Sequence, residues 1–150
     1  MTKKKTVLFI CTHNSARSQM AEGFMRHLYS DRYRAHSGGT EPFRVNPFAI
    51  AVMKEVGIDI STHTSKSLDR FLDKDIDYVV TVCDRAKQSC PFFPGGKKVL
   101  HKSFEDPAQF KGSRAQTLAT FRRVRDEIKE WIVKTFGEMP DKGCSSQEKT

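Results

Sequence analysis

One stretch near the N-terminus restricts the fold more than any other. Thr6-Val7-Leu8-Phe9-Ile10 is a continuous apolar run of mostly β-forming residues, the pattern of a strand buried on both faces. It stops at Cys11. From Ser18 onward, Met20, Ala21, Phe24, Met25 and Leu28 recur at helical spacing. A doubly buried strand needs helices above and below it, so this strand–loop–helix unit argues for an α/β sheet.

The rest of the chain continues the alternation. Ala35–Ser37 reads as a short strand stopped by Gly38-Gly39. Asn46-Pro47 supplies an N-cap and a first helical residue, Ala49, Ile50, Val52, Met53 and Val56 form the stripe, and Gly57 is the expected C-cap. Ser65 or Ser67 is expected to open a further helix that buries Leu68, Phe71 and Leu72. Asp77–Val82 is a strong strand ending at Cys83, and Lys98–Leu100 a weaker one. Between Ser113 and Phe136, Leu118, Phe121, Val124, Ile128, Trp131 and Ile132 share one helical face, with Gly137 and Pro140 ending the pattern.

The expected architecture is a three-layer α/β sandwich: a central, mainly parallel sheet of about four strands with helices on both faces. Residues 1–137 are expected to form a single domain, and the polar residues 138–150 a disordered tail. In such sheets ligands bind at the carboxyl ends of the strands. Cys11 and Cys83 both follow strands directly and can therefore share one edge.

The loop Cys11-Thr12-His13-Asn14-Ser15-Ala16-Arg17-Ser18 is a cysteine, five residues and an arginine, followed by serine. A tight loop ahead of a helix turns its backbone N–H groups inward and adds the helix dipole, which cradles a tetrahedral anion. Thr12, His13, Asn14, Ser15, Ala16, Arg17 and Ser18 are the expected oxyanion-binding residues. The Arg17 fork matches two oxyanion oxygens, and the same positive field favours a Cys11 thiolate, the nucleophile. Ser18 is placed to hydrogen-bond that thiolate, and Asn14 to pin the loop by bonds to its backbone.

Charge and cysteine usage agree with this chemistry. A net charge of +8 favours anionic ligands. The basic residues are spread along the chain, Lys3–Lys5 read as a solvated run, and no zinc-finger, RNP or Walker-type pattern occurs, so nucleic acid is not an expected partner. No stretch approaches the roughly 20 apolar residues of a membrane span, and Thr6–Ile10 runs straight into polar residues without a leader-type cleavage site. A soluble, cytoplasmic protein is expected, without a membrane partner. In that compartment four cysteines point to catalysis, redox or metal binding rather than to a disulfide framework.

Cys83 and Cys90 lie seven residues apart. On a helix that is about two turns, or ~10.5 Å, whereas a disulfide needs Cα atoms about 5.5 Å apart. Closing that bond requires the helix to unwind, which suits a bond made and broken during turnover. A zinc pair fits the spacing poorly, and two unrelated thiols are the plain alternative. Cys144 reads as an exposed thiol, and His101 as a surface residue.

With these residues in view, the loop resembles the signature of the low-molecular-weight protein tyrosine phosphatase fold. Ser18–Gly23 is similar to the thioredoxin-coupled arsenate reductases built on it, as are Val45-Asn46-Pro47, Glu55–Ser61 and Phe121–Ile128; the resemblance covers roughly residues 5–136. It implies arsenate as substrate and a three-cysteine relay through Cys11, Cys83 and Cys90, with thioredoxin as electron donor and no tightly bound cofactor. Nothing requires more than a monomer. It also gives Asp106, in Asp106-Pro107, the role of general acid; Glu105 is the weaker candidate. Ala16 stands where many relatives carry cysteine, and His13 where glycine is frequent. Some of these reductases hold potassium with residues matching Asn14, Glu22, Ser37 and an acid at position 66. Here that acid is Lys66, whose ammonium either takes the cation's place beside Glu22, leaving no metal site, or points to solvent. The alternative function is a phosphatase working through a Cys11–phosphate intermediate, although Ala108-Gln109 after the Asp-Pro lacks an aromatic grip for a phenyl ring. A thiol redox sensor or oxyanion-binding module is the non-enzymatic alternative.

Overall fold

The computed structural model describes residues 4–89 and 96–137. Four strands, β1 (Lys5–Cys11), β2 (Tyr33–Gly39), β3 (Ile76–Thr81) and β4 (Gly96–His101), form one sheet in the order β2-β1-β3-β4, with every pairing parallel. The helices are α1 (Arg17–Tyr29), α2 (Pro47–Glu55), α3 (Asp84–Ser89) and α4 (Arg114–Phe136). β1 is central, and Val7, Leu8, Phe9 and Ile10 are fully buried, which is why its run has no polar side. Phe9, Tyr33 and Tyr78 gather around Phe136 of α4 on one face of the sheet. His36, in register with Leu8 and so on the opposite face, meets Phe71 in a 3-10 turn, Leu68–Phe71. Each fully buried Phe, such as Phe24 and Phe121, contributes roughly 2–3 kcal/mol of apolar transfer.

The helix ends follow the local chemistry. Asn46 accepts from the Phe48 and Ala49 amides at the start of α2, and Gly57 takes a positive φ of 83° just past its end. Ser113 and Gln116 form a capping box on α4.

Two expectations are corrected. Gly38 and Gly39 belong to β2 rather than ending it. A Cβ on Gly38 would lie 2.9 Å from Leu68 Cα, and one on Gly39 2.7 Å from the Thr12 carbonyl, so these glycines permit close approach, not a stop. The helix expected after Ser65 or Ser67 is only the Leu68–Phe71 turn, which Ser67 caps. The weak strand is longer than its apolar residues suggest, because β4 is an edge: Val99 is exposed beside Lys97 and Lys98.

The connection from β1 to β2 runs one way along the sheet, and the connection onward to β3 returns to the other side of β1. The carboxyl ends of β1 and β3 thus flank the topological switch point, where a crevice opens. Cys11 ends β1, and Cys83 follows β3 by two residues.

Candidate functional site

The carbonyls of the loop after β1 are all turned outward. Those of Cys11, Thr12, His13 and Ser15 accept from the amides of Thr40, Glu41, Phe43 and Asn46, that of Asn14 accepts from Gln19 Nε2, and that of Ala16 from Met20. Among the described residues, no protein acceptor is recorded for the amides of His13 to Arg17. Ala16, at the N-cap of α1, offers no side-chain cap. A buried helix N-terminus left uncapped beneath inward-facing amides is an anion cradle.

Its shape depends on Asn14, fully buried and at φ 48°. Asn14 Nδ2 donates to Ser18 Oγ at 2.8 Å, and Ser18 Oγ lies 2.9 Å from Cys11 Sγ. Because Ser18 accepts from Asn14, its own proton is free to point at Cys11 Sγ. Asn14 Oδ1 accepts from the Lys66 amide and from Gln19 Nε2. Asn14 therefore braces the loop against α1 and the Lys66 segment, rather than by bonds to the loop's own backbone as expected. Gln19 is also fully buried and accepts from His63 Nδ1 at 2.9 Å; a carbonyl oxygen only accepts, so Nδ1 carries the proton. Burial lowers the pKa of His63.

Arg17 is buried at the mouth of the cradle. Its Nη1 donates to the Phe104 carbonyl at 3.2 Å, and its Nη2 lies 3.4 Å from Asp106 Oδ2. Asp106 Oδ1 accepts from the Ala108 amide, so Pro107–Gln109 is a 3-10 turn capped by the expected acid. Glu105 instead pairs with Arg123. Cys11, Arg17 and Asp106 line one cleft of about 260 Å³, with His13, Phe43 and Arg44 at its wall. His13 Nδ1 is 2.9 Å from the Glu41 carbonyl and donates to it, which leaves the imidazole on the rim.

Cys83, 4% exposed, lies against the same loop from the end of β3. Its Sγ is 3.5 Å from Thr12 Oγ1 and accepts from the Ala86 amide at 3.4 Å, across the first turn of α3. It lines a second cavity, also about 260 Å³, which shares His13, Arg17, Asp106 and Gln109 with the Cys11 cleft. Cys90, Cys144 and residues 138–150 lie outside the described residues.

Asn14, Glu22, Ser37 and Lys66 also come together. Lys66 Nζ is 3.0 Å from the Thr64 carbonyl, 3.5 Å from Ser37 Oγ and 3.8 Å from Glu22 Oε1. Burial, opposed by the Glu22 carboxylate, lowers the pKa of Lys66. Among the described residues there is no group of three or more His, Cys, Asp or Glu able to hold a metal, and no helix long and apolar enough to cross a membrane.

Several contacts were not visible in the sequence. Gln19 reads as an ordinary polar position on an amphipathic helix, and nothing local marks it for burial. His63 and the Glu41 carbonyl carry no motif. Only the small polar residues between Cys11 and Arg17 signal a loop whose backbone needs partners elsewhere.

Comparison with known proteins agrees with this geometry. The arsenate reductase of Halalkalibacterium halodurans is 47% identical over 135 residues, covering 90% of this chain and 96% of that protein. A solved structure of an arsenate reductase in the phosphate binding state matches with a TM-score of 0.78 and 38% identity, covering 91% of this chain and 99% of that one. A thioredoxin-dependent arsenate reductase of Corynebacterium glutamicum matches at a TM-score of 0.60 and 25% identity, over 87% of this chain and 61% of that one. The family model of the low molecular weight phosphotyrosine protein phosphatases matches residues 6–143, taking in the cradle, Cys83 and Asp106 together, and the chain is a member of that family.

Proposed function

We propose that this protein reduces arsenate to arsenite, with Cys11 as nucleophile and Cys83 and Cys90 as the redox pair. The observation that carries this reading is the pair of adjoining cavities, one holding Cys11 in an anion cradle and the other holding Cys83, with Arg17 and Asp106 in their common wall. Arsenate binds to the inward amides of the loop and the Arg17 fork. That draws Arg17 from Asp106, which takes a proton from the bound dihydrogen arsenate and returns it to the departing hydroxyl as the Cys11 thiolate attacks arsenic, and water leaves. The Cys83 thiolate next attacks Cys11 Sγ. The S–As bond breaks with its electron pair on arsenic, so As(V) becomes As(III), and a Cys11–Cys83 disulfide forms. Cys90 attacks Cys83 Sγ, returning Cys11 as thiolate and leaving a Cys83–Cys90 disulfide for a dithiol donor. Thioredoxin is the proposed donor, supported by the three-cysteine arrangement and by the Corynebacterium glutamicum relative.

Arsenate-dependent NADPH oxidation with thioredoxin and thioredoxin reductase tests this. The wild type is expected to turn over many times, whereas Cys83→Ser and Cys90→Ser fall by at least about 100-fold, because neither can pass its oxidising equivalents outward. Multiple turnover in either variant would sink the relay. Exposed Phe43 at the wall of the Cys11 cleft favours a weaker phosphatase activity as a second reading, since an aromatic edge can take a phenyl ring. It predicts p-nitrophenyl phosphate hydrolysis that needs Cys11 but neither Cys83 nor Cys90.

Lys66 fills the space between Glu22, Ser37 and Thr64 with a fixed positive charge, so we take activity to be independent of potassium. Turnover in sodium and potassium buffers of equal ionic strength is expected to agree within about twofold, the spread that weak surface ion effects allow. A large potassium stimulation would remove Lys66 from this role.

A further inference from the structure

β4 ends on a side-chain bridge that the reaction sequence above leaves unused. Thr81 and His101 are register partners at the ends of β3 and β4. Thr81 Oγ1 lies 2.7 Å from His101 Nδ1, and His101 Nε2 lies 3.0 Å from Asp84 Oδ1. Asp84 is the first residue of α3 and follows Cys83 directly. The histidine expected at the surface is thus half-buried and bonded at both ring nitrogens. A carboxylate only accepts, so Nε2 carries a proton and donates to Asp84. Nδ1 either accepts from the Thr81 hydroxyl or, in the imidazolium, donates to it. The hydroxyl turns to suit, and the bridge is satisfied in both charge states.

We propose that His101 is a positioning residue for Cys83, fastening the first turn of α3 to the end of the sheet so that the thiol stays aimed at Cys11. This rests on the disulfide relay proposed above. α3 is only six residues long, too short to hold a helix or a position by itself, so its anchors decide where Cys83 sits. On one flank the anchor is Asp84 on His101. On the other, Arg85 Nη2 lies 3.0 Å from Glu41 Oε2, and the Glu41 carbonyl also takes the bond from His13. The side opposite Asp84 is firm, because the Lys102 and Phe104 amides bond the Thr81 and Val82 carbonyls, continuing the β3–β4 pairing past His101. Such an arrangement reconciles two demands on one short helix. Its first turn must hold still while Cys83 attacks Cys11, and the chain beyond it must bring Cys90 to Cys83. Among the described residues the anchors of α3 are Asp84, Arg85 and the fully buried Ala86, all in its first half. Thr81 is 2% exposed, so its hydroxyl is out of reach of a substrate, and the bridge acts through Cys83.

The test compares wild type, His101→Ala and Asp84→Asn as full-length reduced protein. Single-turnover arsenite release without thioredoxin is measured, together with iodoacetamide alkylation of Cys11 and Cys83 read separately by peptide mass spectrometry. His101→Ala is expected to slow arsenite release about tenfold, since a misplacement near 1 Å is costly for an attacking atom. It should change the Cys83 alkylation rate at least about threefold, with Cys11 alkylation within about twofold. Asp84→Asn is the conservative variant: its amide oxygen still accepts from Nε2, and most of the arsenite rate should be retained. Arsenite release in His101→Ala equal to wild type would overturn the proposal. So would parallel changes at Cys11 and Cys83, which mark general loosening. If the wild type releases no arsenite while His101→Ala alters Cys83 alone, the positioning stands and the relay reading is what fails.

Discussion

Cys11→Ser is expected to lower arsenate turnover at least about 1,000-fold, and Arg17→Ala about 100- to 1,000-fold, with the fold intact in both. Cys11 ends the central strand and is 2% exposed, so an isosteric swap leaves packing almost unchanged. What is lost is the nucleophile: a serine hydroxyl in the same cradle stays protonated. Arg17 fails differently. Its guanidinium is held at the mouth of the cradle by the Phe104 carbonyl, so only the arm facing Asp106 has to turn when an oxyanion arrives. Truncation removes two charge-assisted bonds at the atom where charge builds up, and leaves the Phe104 carbonyl without its donor. Arg17→Lys should fall between, because a point charge replaces one arm of the fork and not both. Single-turnover arsenite formation and a thermal melt on the same samples separate the cases. If Arg17→Ala loses activity only in proportion to a lowered melting temperature, Arg17 is structural.

What was legible in the sequence is what local pattern controls. β1, its loop and α1 could be read because an apolar run, a small polar loop and a helical stripe follow one another within about thirty residues, each with its own period. Cys11 and Cys83 at one sheet edge followed from strand ends alone. The misreadings share a cause. Gly38 and Gly39 look like terminators unless Leu68 and Thr12 are known to press on them. Gln19, for which the sequence offers no reading, is marked for burial only by the need of the Cys11 loop for its amide. His101 looks free unless Thr81 and Asp84 are brought to it by the β3–β4 register and the turn into α3. Apart from Gln19, whose partner Asn14 is five residues back in a loop that has no period, the deciding contact spans a long stretch of chain, where periodicity carries no information.

Asn14→Ala is expected to lower stability by about 3 kcal/mol and activity by about tenfold beyond that loss. Alanine at φ 48° takes on the left-handed penalty of about 1–2 kcal/mol that asparagine tolerates better. The Lys66 amide and Gln19 Nε2 each lose the Asn14 Oδ1 acceptor. The amide is the more exposed to that loss: Gln19 keeps the Asn14 and Thr64 carbonyls, while the half-buried Lys66 N–H left without a partner costs an amount toward the lower end of about 1–3 kcal/mol. At roughly 2–4 °C per kcal/mol for a domain of this size, the melting temperature should fall by about 6–12 °C. Activity falls separately because Ser18 loses the donor that orients its hydroxyl toward Cys11. Asn14→Gly divides the two contributions. Glycine adopts the same φ without strain, so it should recover about 1 kcal/mol of stability and none of the activity. Thermal melts, with turnover measured well below each midpoint, give both numbers. Equal melting temperatures for the alanine and glycine variants would remove backbone strain as a contributor, and full activity in the glycine variant would show that Ser18 finds Cys11 without Asn14.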